Sequence, residues 1–406
     1  MRFSFVLSWA GKGSLSPFNP GFISVSPPLR ILIITPWYPY PAHPQHGNFV
    51  REQADWLARA HRVEVVTVFP GARAQVRATD EESGVKVVQA EYPADGPRLS
   101  RISRRAKAWK QALSQRTLTP DLIHAHVLID GGVVARRLAR ELRVPLVITA
   151  HSHRWLHSEP PWRIPERWLA RRAARAADRV LPVSPSLQRG MKASGIRADY
   201  FVLPNLTDTE RFHPAPPAPG RPFTFLHVSD FSDNKNVGRI LVAFGELLES
   251  HPDARLVLAG NGDHAQLREW IRAIDSAGQN HRLTDTVTVS GPHTNAGIAR
   301  LMREADAFVL ASDYETQSIV IVEALLSGLP CIATRCGGPE DLLAGAGRGL
   351  LVPLHDRAAL GDAMKKLLLS GPEPFAARQL RARSAHVEFG RVGERLIALY
   401  HELVSP

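Results

Sequence analysis

Residues Ala311 to Leu342, ASDYETQSIVIVEALLSGLPCIATRCGGPEDL, decide the fold of this chain. A strand-like run from Ala307 to Ala311 enters this stretch and ends in a polar turn. A short apolar helix over about Ser318 to Ser327 follows, and after a Gly-Leu-Pro break a second strand runs from Cys331 to Thr334. Strands that alternate with helices in this way predict a parallel α/β sheet.

Two glutamates, Glu315 and Glu323, bracket the turn and the helix of this stretch. The neighbours of Glu323 are apolar on all sides, so the helix is expected to be buried on most of its faces. A carboxylate in that position is costly unless a partner hydrogen-bonds it. Two interpretations of Glu323 stay open: a salt bridge or cap within the protein, or a contact to a ligand that carries hydroxyl groups.

The whole chain has 406 residues, a length that suits two domains. No apolar run approaches the ~20 residues that cross a bilayer, and two cysteines suggest a reducing compartment rather than a disulfide framework. The net charge of +11 is unevenly distributed, because residues 1–214 hold 31 Lys and Arg against 17 Asp and Glu, which gives +14. This excess predicts a polyanionic partner for the first half, with nucleic acid and anionic lipid both as candidates.

The chain opens on a near-continuous apolar strand, Arg30 to Thr35, followed by a Pro-rich loop that ends at Gly47. A helix over Phe49 to Ala60 and a second strand over Val63 to Phe69 complete the start of a doubly wound α/β domain. Gly47 stands before a helix N-terminus, where it either lets ligand oxygens approach the backbone or serves a plain turn.

A basic amphipathic helix is predicted over Arg98 to Arg116, which has seven basic residues and no acidic one. It is interpreted either as a surface for an anionic membrane or an acceptor, or as an ordinary helix with a solvated basic face. The residues assigned to that contact are Arg101, Arg104, Arg105, Lys107, Trp109 and Lys110.

Two histidines, His126 and His151, fall at or just after the ends of predicted strands, Asp121 to His126 and Leu146 to Ala150. The carboxyl ends of parallel strands are where α/β active sites collect. His151, His153 and His157 would also allow metal ligation, but no carboxylate or thiolate pattern accompanies them, so no metal is expected.

The second half repeats the pattern of strands and helices after a segment with five prolines, His213 to Pro222. Lys235 stands at the start of a predicted helix, and glycine turns follow two of the strands. The predicted organisation is a disordered leader over residues 1–28, a first domain over 29–213, a linker over 214–222, a second domain over 223–390 and a helix over 391–406 that packs back on the first domain.

Several segments of this sequence resemble glycosyltransferase family 4. They are PWYP, GNFVREQADWLA, PDLIHAH, LVITAHSH, ADRVLPVSPSL, VLPNLTDTERFHP and, above all, ETQSIVIVEALLSGLPCIATRCGGPEDLL. The resemblance covers nearly the whole chain from about Arg30. It implies the GT-B fold, in which two Rossmann-like doubly wound parallel-sheet domains face a central cleft.

The resemblance also implies an activity, the retaining transfer of a sugar from a nucleotide sugar, and roles for single residues. Glu323 would hold the ribose hydroxyls, Glu315 would lie beside the transferred sugar, and Lys235 would neutralise the diphosphate. His151 would approach the sugar and acceptor from the first domain. The other residues placed with the nucleotide sugar are Gly47, the backbone N–H groups of Thr316, Gln317 and Ser318, and Gly260, Gly262, Ser290 and Arg335.

Three positions depart from the family pattern. Asp230 stands where the family often has an arginine that contacts phosphate, and Arg335 is the predicted substitute for it. Gln317 and Ser318 replace a Phe-Gly pair, which changes the expected shape of the sugar pocket. Leu206 replaces a glycine after Pro-Asn.

The expected function is therefore the transfer of a sugar from a UDP- or GDP-sugar to a saccharide or lipid-linked acceptor in cell-surface polysaccharide, lipopolysaccharide or glycolipid synthesis. No metal, cofactor or nucleic acid is expected, and the protein is placed in the cytoplasm or at the inner face of the membrane. Two alternatives are retained: a nucleotide-sugar epimerase, and a degenerate protein that binds nucleotide or nucleic acid.

Overall fold

The computed structural model describes residues 27–156, 164–216, 220–277, 282–345, 347–371, 380 and 389–405. The predicted leader lies almost entirely outside these residues, as do His157 and residues 217–219 of the predicted linker. Over the described ranges, the predicted architecture of two doubly wound α/β domains is confirmed.

The first domain is built on a seven-stranded sheet in the order β3-β4-β2-β1-β5-β6-β7. All neighbours are parallel except β3, which pairs antiparallel with β4 at the edge. The strands are β1 (Arg30–Thr35), β2 (Arg62–Gly71), β3 (Gln75–Asp80), β4 (Lys86–Pro93), β5 (Leu122–His126), β6 (Leu146–Ala150) and β7 (Arg179–Pro182). Its helices are α1 (Asn48–Ala58), α2 (Arg98–Ser114), α3 (Gly132–Leu142), α4 (Ile164–Ala176) and α5 (Pro185–Ala193).

The second domain has a six-stranded parallel sheet in the order β10-β9-β8-β11-β12-β13. The strands are β8 (Thr224–Ser229), β9 (Arg255–Gly260), β10 (Val287–Ser290), β11 (Ala307–Leu310), β12 (Cys331–Thr334) and β13 (Gly349–Val352). The helices are α6 (Val237–Leu248), α7 (His264–Ala277), α8 (Leu283–Thr286), α9 (Asn295–Glu304), α10 (Ile319–Leu326), α11 (Gly338–Leu343) and α12 (Arg357–Ser370). Strand order reverses between β8 and β11, and ligands bind such sheets beyond the carboxyl ends of the strands at that point.

The last helix, α13 (Phe389–Val404), packs against the first domain. Val392, Leu396 and Tyr400 are fully buried in one apolar cluster with Ile31 of the first sheet. A Cβ at Gly393 would lie 2.2 Å from the ring of Trp56, so the glycine is what lets α13 approach α1. The first strand and the last helix of the described residues thus belong to the same domain.

One strand of the structure was not predicted. The edge strand β3 was missed because its residues QVRATD are mostly exposed and lack a buried apolar face. Beside β7, Tyr200 forms a bridge with Val180.

Candidate active site

A cleft separates the two domains and contains a cavity of about 230 Å³. The first domain contributes α1 and the loop before it, and the second contributes the loops after β9 and β10 and one face of α10. The residues that line it are Gln45, Asn48, Phe49, Glu52, Val228, Gly260, Asn261, Pro292, His293, Asn295, Ile298, Ile319, Val320 and Glu323. The predicted cleft therefore exists, and Glu323 lies in its wall.

An ion pair between Lys235 and Glu315 marks the point where strand order reverses in the second sheet. The loop after β8 carries Lys235 and the loop after β11 carries Glu315, and Nζ lies 2.7 Å from Oε1. Ser312 Oγ donates a second hydrogen bond to the same oxygen, at 2.9 Å. Burial opposes the charge of Lys235, but the carboxylates of Glu315 and Asp230 outweigh it and raise the pKa of the ammonium group. The ion pair thus holds the ammonium group of Lys235 beyond the carboxyl ends of β8 and β11, where sheets of this kind bind ligands.

Asp230 lies close enough to Lys235 to help raise the pKa of its ammonium group. Burial works against the charge of Asp230, but hydrogen bonds from Ser232 and the attraction of Lys235 lower the pKa of its carboxyl group. Ser232 Oγ donates to Asp230 Oδ1 at 2.7 Å. Asp230 is therefore ionised, and Lys235 is balanced by two carboxylates before any anion binds.

The turn that leads into α10 has an unusual backbone. Ser318 has φ of 67°, a left-handed conformation that glycine adopts more easily, at the position where the family pattern has glycine. Gln317 Oε1 accepts bonds from the backbone N–H and side-chain amide of Asn205, both at 2.7 Å. Gln317 Nε2 and Ser318 Oγ are buried without a hydrogen-bond partner among the described residues. The sequence departure thus leaves two unsatisfied polar atoms next to the helix N-terminus.

Backbone and side-chain contacts join this turn to the first domain. Ser184 Oγ donates to the carbonyl oxygen of Thr316. On the same side, the backbone N–H of Ser186 donates to Asp341 Oδ2 at 2.7 Å. The two domains are therefore in contact at the turn that carries Thr316.

Glu323 is partly exposed in the cavity wall and lies on α10, among apolar neighbours. Burial, and then the nearby carboxylate of Glu52, raise its pKa to about 8, while Arg211 acts in the opposite direction. Glu52 itself bonds Arg211 at 3.1 Å and Asn295 Nδ2 at 2.6 Å. The alternative of a salt bridge for Glu323 finds no support among the described residues, since none contributes an ion pair to it.

The predicted glycines occupy positions where a side chain would clash. A Cβ on Gly47, which has φ of 66°, would lie 2.3 Å from the carbonyl carbon of Trp37. A Cβ on Gly260 would lie 1.7 Å from Ser229 O, and one on Gly262 would lie 2.4 Å from Asp230 O. Ser290 bonds His293 Nε2 through Oγ at 2.7 Å. Gly260 lines the cavity directly, whereas Gly47 and Gly262 shape the loops beside it.

Three histidine rings line up next to one another, His124 and His126 on β5 and His151 directly after β6. The rings of His124 and His126 stack with centroids 4.5 Å apart, and those of His126 and His151 with centroids 5.2 Å apart. His151 lies behind Phe49, whose ring centroid is 4.7 Å away and which lines the cavity. The structure therefore places His151 at the first-domain side of the cleft, one side chain behind the cavity wall.

Arg335 does not line this cavity. Its backbone N–H donates to Val352 O on β13, and its side chain borders a second cavity with Arg189, Glu340 and Asp341. The prediction that Arg335 replaces the missing phosphate contact at position 230 thus gains no support from its position.

The basic helix α2 forms where it was predicted. The assignment of Trp109 to its contact surface, however, is wrong, because that side chain is buried. Trp109 is only 5% exposed, because it packs with Ala108 and Ala112 into the first-domain core. Arg104 and Arg105 pair with Asp95 and Asp130.

The other assigned residues, Arg101, Lys107 and Lys110, are exposed. Leu99 and Ile102 at the start of α2 are 81% and 53% exposed. Within the described ranges, no helix combines the length and apolar character needed to cross a membrane.

Some residues of the cleft were not found from the sequence. Glu52 joins α1 to the second domain through Asn295. From the sequence alone, Glu52 is indistinguishable from a surface residue of an amphipathic helix. Asn205 and Ser184 also reach across, and only their occurrence in segments that resemble the family could have drawn attention to them. Contacts between residues far apart in the chain leave no periodic signal.

Two family models match consecutive parts of the chain. The model described as Glycosyltransferase Family 4 matches residues 46–211, and the one described as Glycosyl transferases group 1 matches residues 208–383. The chain belongs to glycosyltransferase family 4. In this glycosyltransferase, Lys235 and Glu315 both lie within the second of the two matches, residues 208–383.

Known proteins agree with this assignment. The glycogen synthase of Mycobacterium tuberculosis is 27% identical over 392 residues, which is 88% of this chain and 89% of that protein. The structure of sucrose-phosphate synthase from Thermosynechococcus elongatus has a TM-score of 0.74 at 20% identity, and covers 92% of this chain and 99% of its own. Anabaena Alr3699/HepE in complex with UDP and glucose has a TM-score of 0.70 at 19% identity, with 92% and 100% covered. The two structures show a shared GT-B fold.

Proposed function

We propose that this glycosyltransferase moves a sugar from a UDP- or GDP-sugar to a saccharide or lipid-linked acceptor, with retention of the anomeric configuration and without a metal ion. The observation that carries the proposal is the 2.7 Å contact between Lys235 and Glu315, beside the N-terminus of α10. Glu323 lies further along the same helix and lines the cleft.

The arrangement fits the charges of glycosyl transfer. Positive charge builds at the anomeric carbon and negative charge on the departing diphosphate. Lys235 and the backbone N–H groups at the start of α10 supply positive potential for the diphosphate. Glu315 supplies a carboxylate for the sugar, and Glu323 supplies one for the ribose hydroxyls. Gly260 and Asn261 line the same cavity and are proposed to contact the nucleobase.

No protein base is assigned to the acceptor proton. In the retaining reaction as proposed, the departing phosphate takes this proton itself. Glu315 is held by Lys235 and Ser312, and the charged Lys235 has no lone pair to offer. His151 is proposed to contact the sugar or the acceptor and not to take up the proton.

The choice of nucleotide is tested by thermal unfolding with UDP, GDP and ADP. Ligands that bind the native state raise its stability by RT ln(1 + [L]/Kd), about 2.7 kcal/mol at a concentration of 100 Kd. We expect either UDP or GDP to raise Tm by several degrees and ADP to have little effect. If none of the three raises Tm at millimolar concentration, the proposed nucleotide-sugar site is wrong.

The start of α2 is proposed to hold the protein on an anionic membrane, where a lipid-linked acceptor of cell-surface synthesis would lie. Leu99 and Ile102 offer exposed apolar groups, and Arg101, Lys107 and Lys110 offer exposed charge. Trp168 of α4 is 54% exposed, and Glu166, two residues earlier in the same helix, lies 3.7 Å from Arg98. Apolar groups next to basic ones suit an interface with anionic lipid.

Vesicle sedimentation at low salt tests this membrane contact. Each basic residue near an anionic surface contributes about 1 kcal/mol, so the triple substitution Arg101→Ser, Lys107→Ser and Lys110→Ser is expected to weaken partitioning roughly 100-fold. Binding should also fall as salt is raised.

The matched control removes three exposed charges from the second domain, Arg268, Arg272 and Lys366, and is expected to leave partitioning within about twofold of wild type, since these charges lie outside the proposed surface. Equal binding of wild type to neutral and anionic vesicles would exclude the contact.

One observation favours a second candidate, a nucleotide-binding protein without turnover. Asp230 is ionised beside Lys235, so the pair of carboxylates around this lysine opposes a diphosphate. Binding of nucleotide with no release of nucleoside diphosphate from any UDP- or GDP-sugar would support this candidate.

A further inference from the structure

His126 is a buried residue next to the candidate active site, and the proposed reaction assigns no role to it. It is fully buried, and its Nδ1 lies 2.9 Å from Nε2 of His151. The two rings are inclined by only 15°. His124, by contrast, is bonded to Gln53, Tyr400 and Thr149, which ties it to the core and to α13.

The backbone around His126 is built for this contact. Val127 follows it with φ of 68°, a conformation that is a genuine outlier for a β-branched residue. A Cβ at Gly131 would lie 2.2 Å from the carbonyl oxygen of His126, so the turn closes tightly over that residue. Backbone strain of this kind costs on the order of 1–3 kcal/mol and is typical of functional sites.

The hydrogen bonds determine which nitrogen carries the proton. A contact of 2.9 Å between two ring nitrogens needs one donor and one acceptor. His126 Nε2 is buried and has no partner among the described residues. A buried N–H without an acceptor is rarer than an unused lone pair, so the proton of His126 belongs on Nδ1. His151 Nε2 then accepts, and the proton of His151 belongs on its Nδ1.

We propose that His126 is a positioning residue that holds His151 in the tautomer protonated on Nδ1, so that His151 serves the cleft as a hydrogen-bond donor and not as a base. The proposal rests on the proposed function only for what His151 contacts, an oxygen of the transferred sugar or of its diphosphate. Burial lowers the pKa of both imidazoles, which keeps both rings neutral.

The tautomer is measured by nitrogen-15 NMR of the histidine side chains in the full chain without nucleotide, with His151→Gln used to assign the resonances. We expect Nδ1 of His151 to be protonated and Nε2 to be bare. A proton on Nε2 of His151 overturns the proposal. This measurement needs no turnover, so it stands or falls separately from the proposed glycosyl transfer.

Two variants test the consequence for the reaction. His126→Phe keeps a stacked ring but removes the donor, and His126→Asn keeps an N–H near the position of Nδ1. Loss of a partner that orients a metal-bound histidine costs about 10–100-fold, and by analogy His126→Phe should lower kcat by roughly that factor, with little change in the KM for the nucleotide sugar. His126→Asn should restore most of the loss.

The two variants also separate positioning from packing. In His126→Phe, the His151 resonances should show a mixture of tautomers, while His126→Asn should keep the wild-type pattern. If His126→Phe and His126→Asn have the same kcat, or if the tautomer of His151 is unchanged in His126→Phe, His126 only fills space. Should His126→Phe fail to fold, the wild-type spectrum still decides the assignment.

Discussion

Lys235→Met is expected to lower kcat for sugar transfer by roughly 10²–10³-fold, because it removes the cation that faces the developing charge of the diphosphate. Methionine keeps most of the apolar stem of lysine, so packing at the turn before α6 is retained. The measurement is initial-rate release of nucleoside diphosphate at saturating nucleotide sugar. Lys366→Met, an exposed lysine of α12, is the matched control and should retain wild-type kcat.

The ion pair itself is examined by a double-mutant cycle with Glu315→Gln. Lys235 Nζ and Glu315 Oε1 are 2.7 Å apart, so their effects should not be additive. We expect the double variant to be scarcely slower than the slower single variant, because each residue acts through the same site. Fully additive losses would show that the two residues work independently.

Glu323→Gln is expected to weaken nucleotide binding and to stabilise the protein without nucleotide at high pH. Hydrogen bonds to a charged group contribute about 1.5–3 kcal/mol, so at pH 9, where Glu323 is ionised, loss of the carboxylate should raise the Kd of the preferred nucleoside diphosphate roughly 10- to 100-fold. The protein without nucleotide should become more stable at high pH, because glutamine removes a carboxylate that is costly in these surroundings.

The pH dependence of this effect follows from the pKa of Glu323, raised by burial and by Glu52 from 4.5 to about 8. The folded state binds this proton more tightly than the unfolded state, so wild type loses stability as pH rises from about 4.5 to about 8. The variant lacks this loss. At pH 9 its free energy of unfolding should exceed that of wild type by roughly 1–3 kcal/mol, and at pH 4 the two should agree.

Denaturant unfolding from pH 4 to pH 9 measures the difference between the two proteins. Glu249→Gln makes the same chemical change at an exposed position after α6 and should alter neither stability nor affinity. A Glu323→Gln variant that is less stable than wild type at pH 9 would show that Glu323 has a stabilising partner within the protein.

The strands around the stretch from Ala311 to Leu342 were predicted closely, because they are short apolar runs bounded by turn residues. β12 begins and ends at the predicted residues, and β11 begins at the predicted Ala307 and ends one residue early, at Leu310. Glu323 was found because a carboxylate among apolar neighbours conflicts with local pattern, and such conflicts concentrate at functional sites.

Other features were beyond the reach of local pattern. Trp109 has the spacing of a membrane-facing residue and also the spacing of a core residue, and only the position of the sheet decides between the two. The bond between Glu52 and Asn295 joins residues from different domains. Arg335 was proposed from its nearness to a glycine loop in sequence, but pairing of β12 with β13 sets where that loop lies.

The most direct test is the release of nucleoside diphosphate from UDP- and GDP-sugars, followed in wild type, Lys235→Met and Glu315→Gln with and without a saccharide or lipid-linked acceptor. We predict that wild type releases one of the two nucleotides, faster with acceptor, and forms a product with the anomeric configuration of the nucleotide sugar. Both variants should fall at least about 100-fold below it. Equal rates in all three proteins, or an inverted product, would contradict the proposed mechanism.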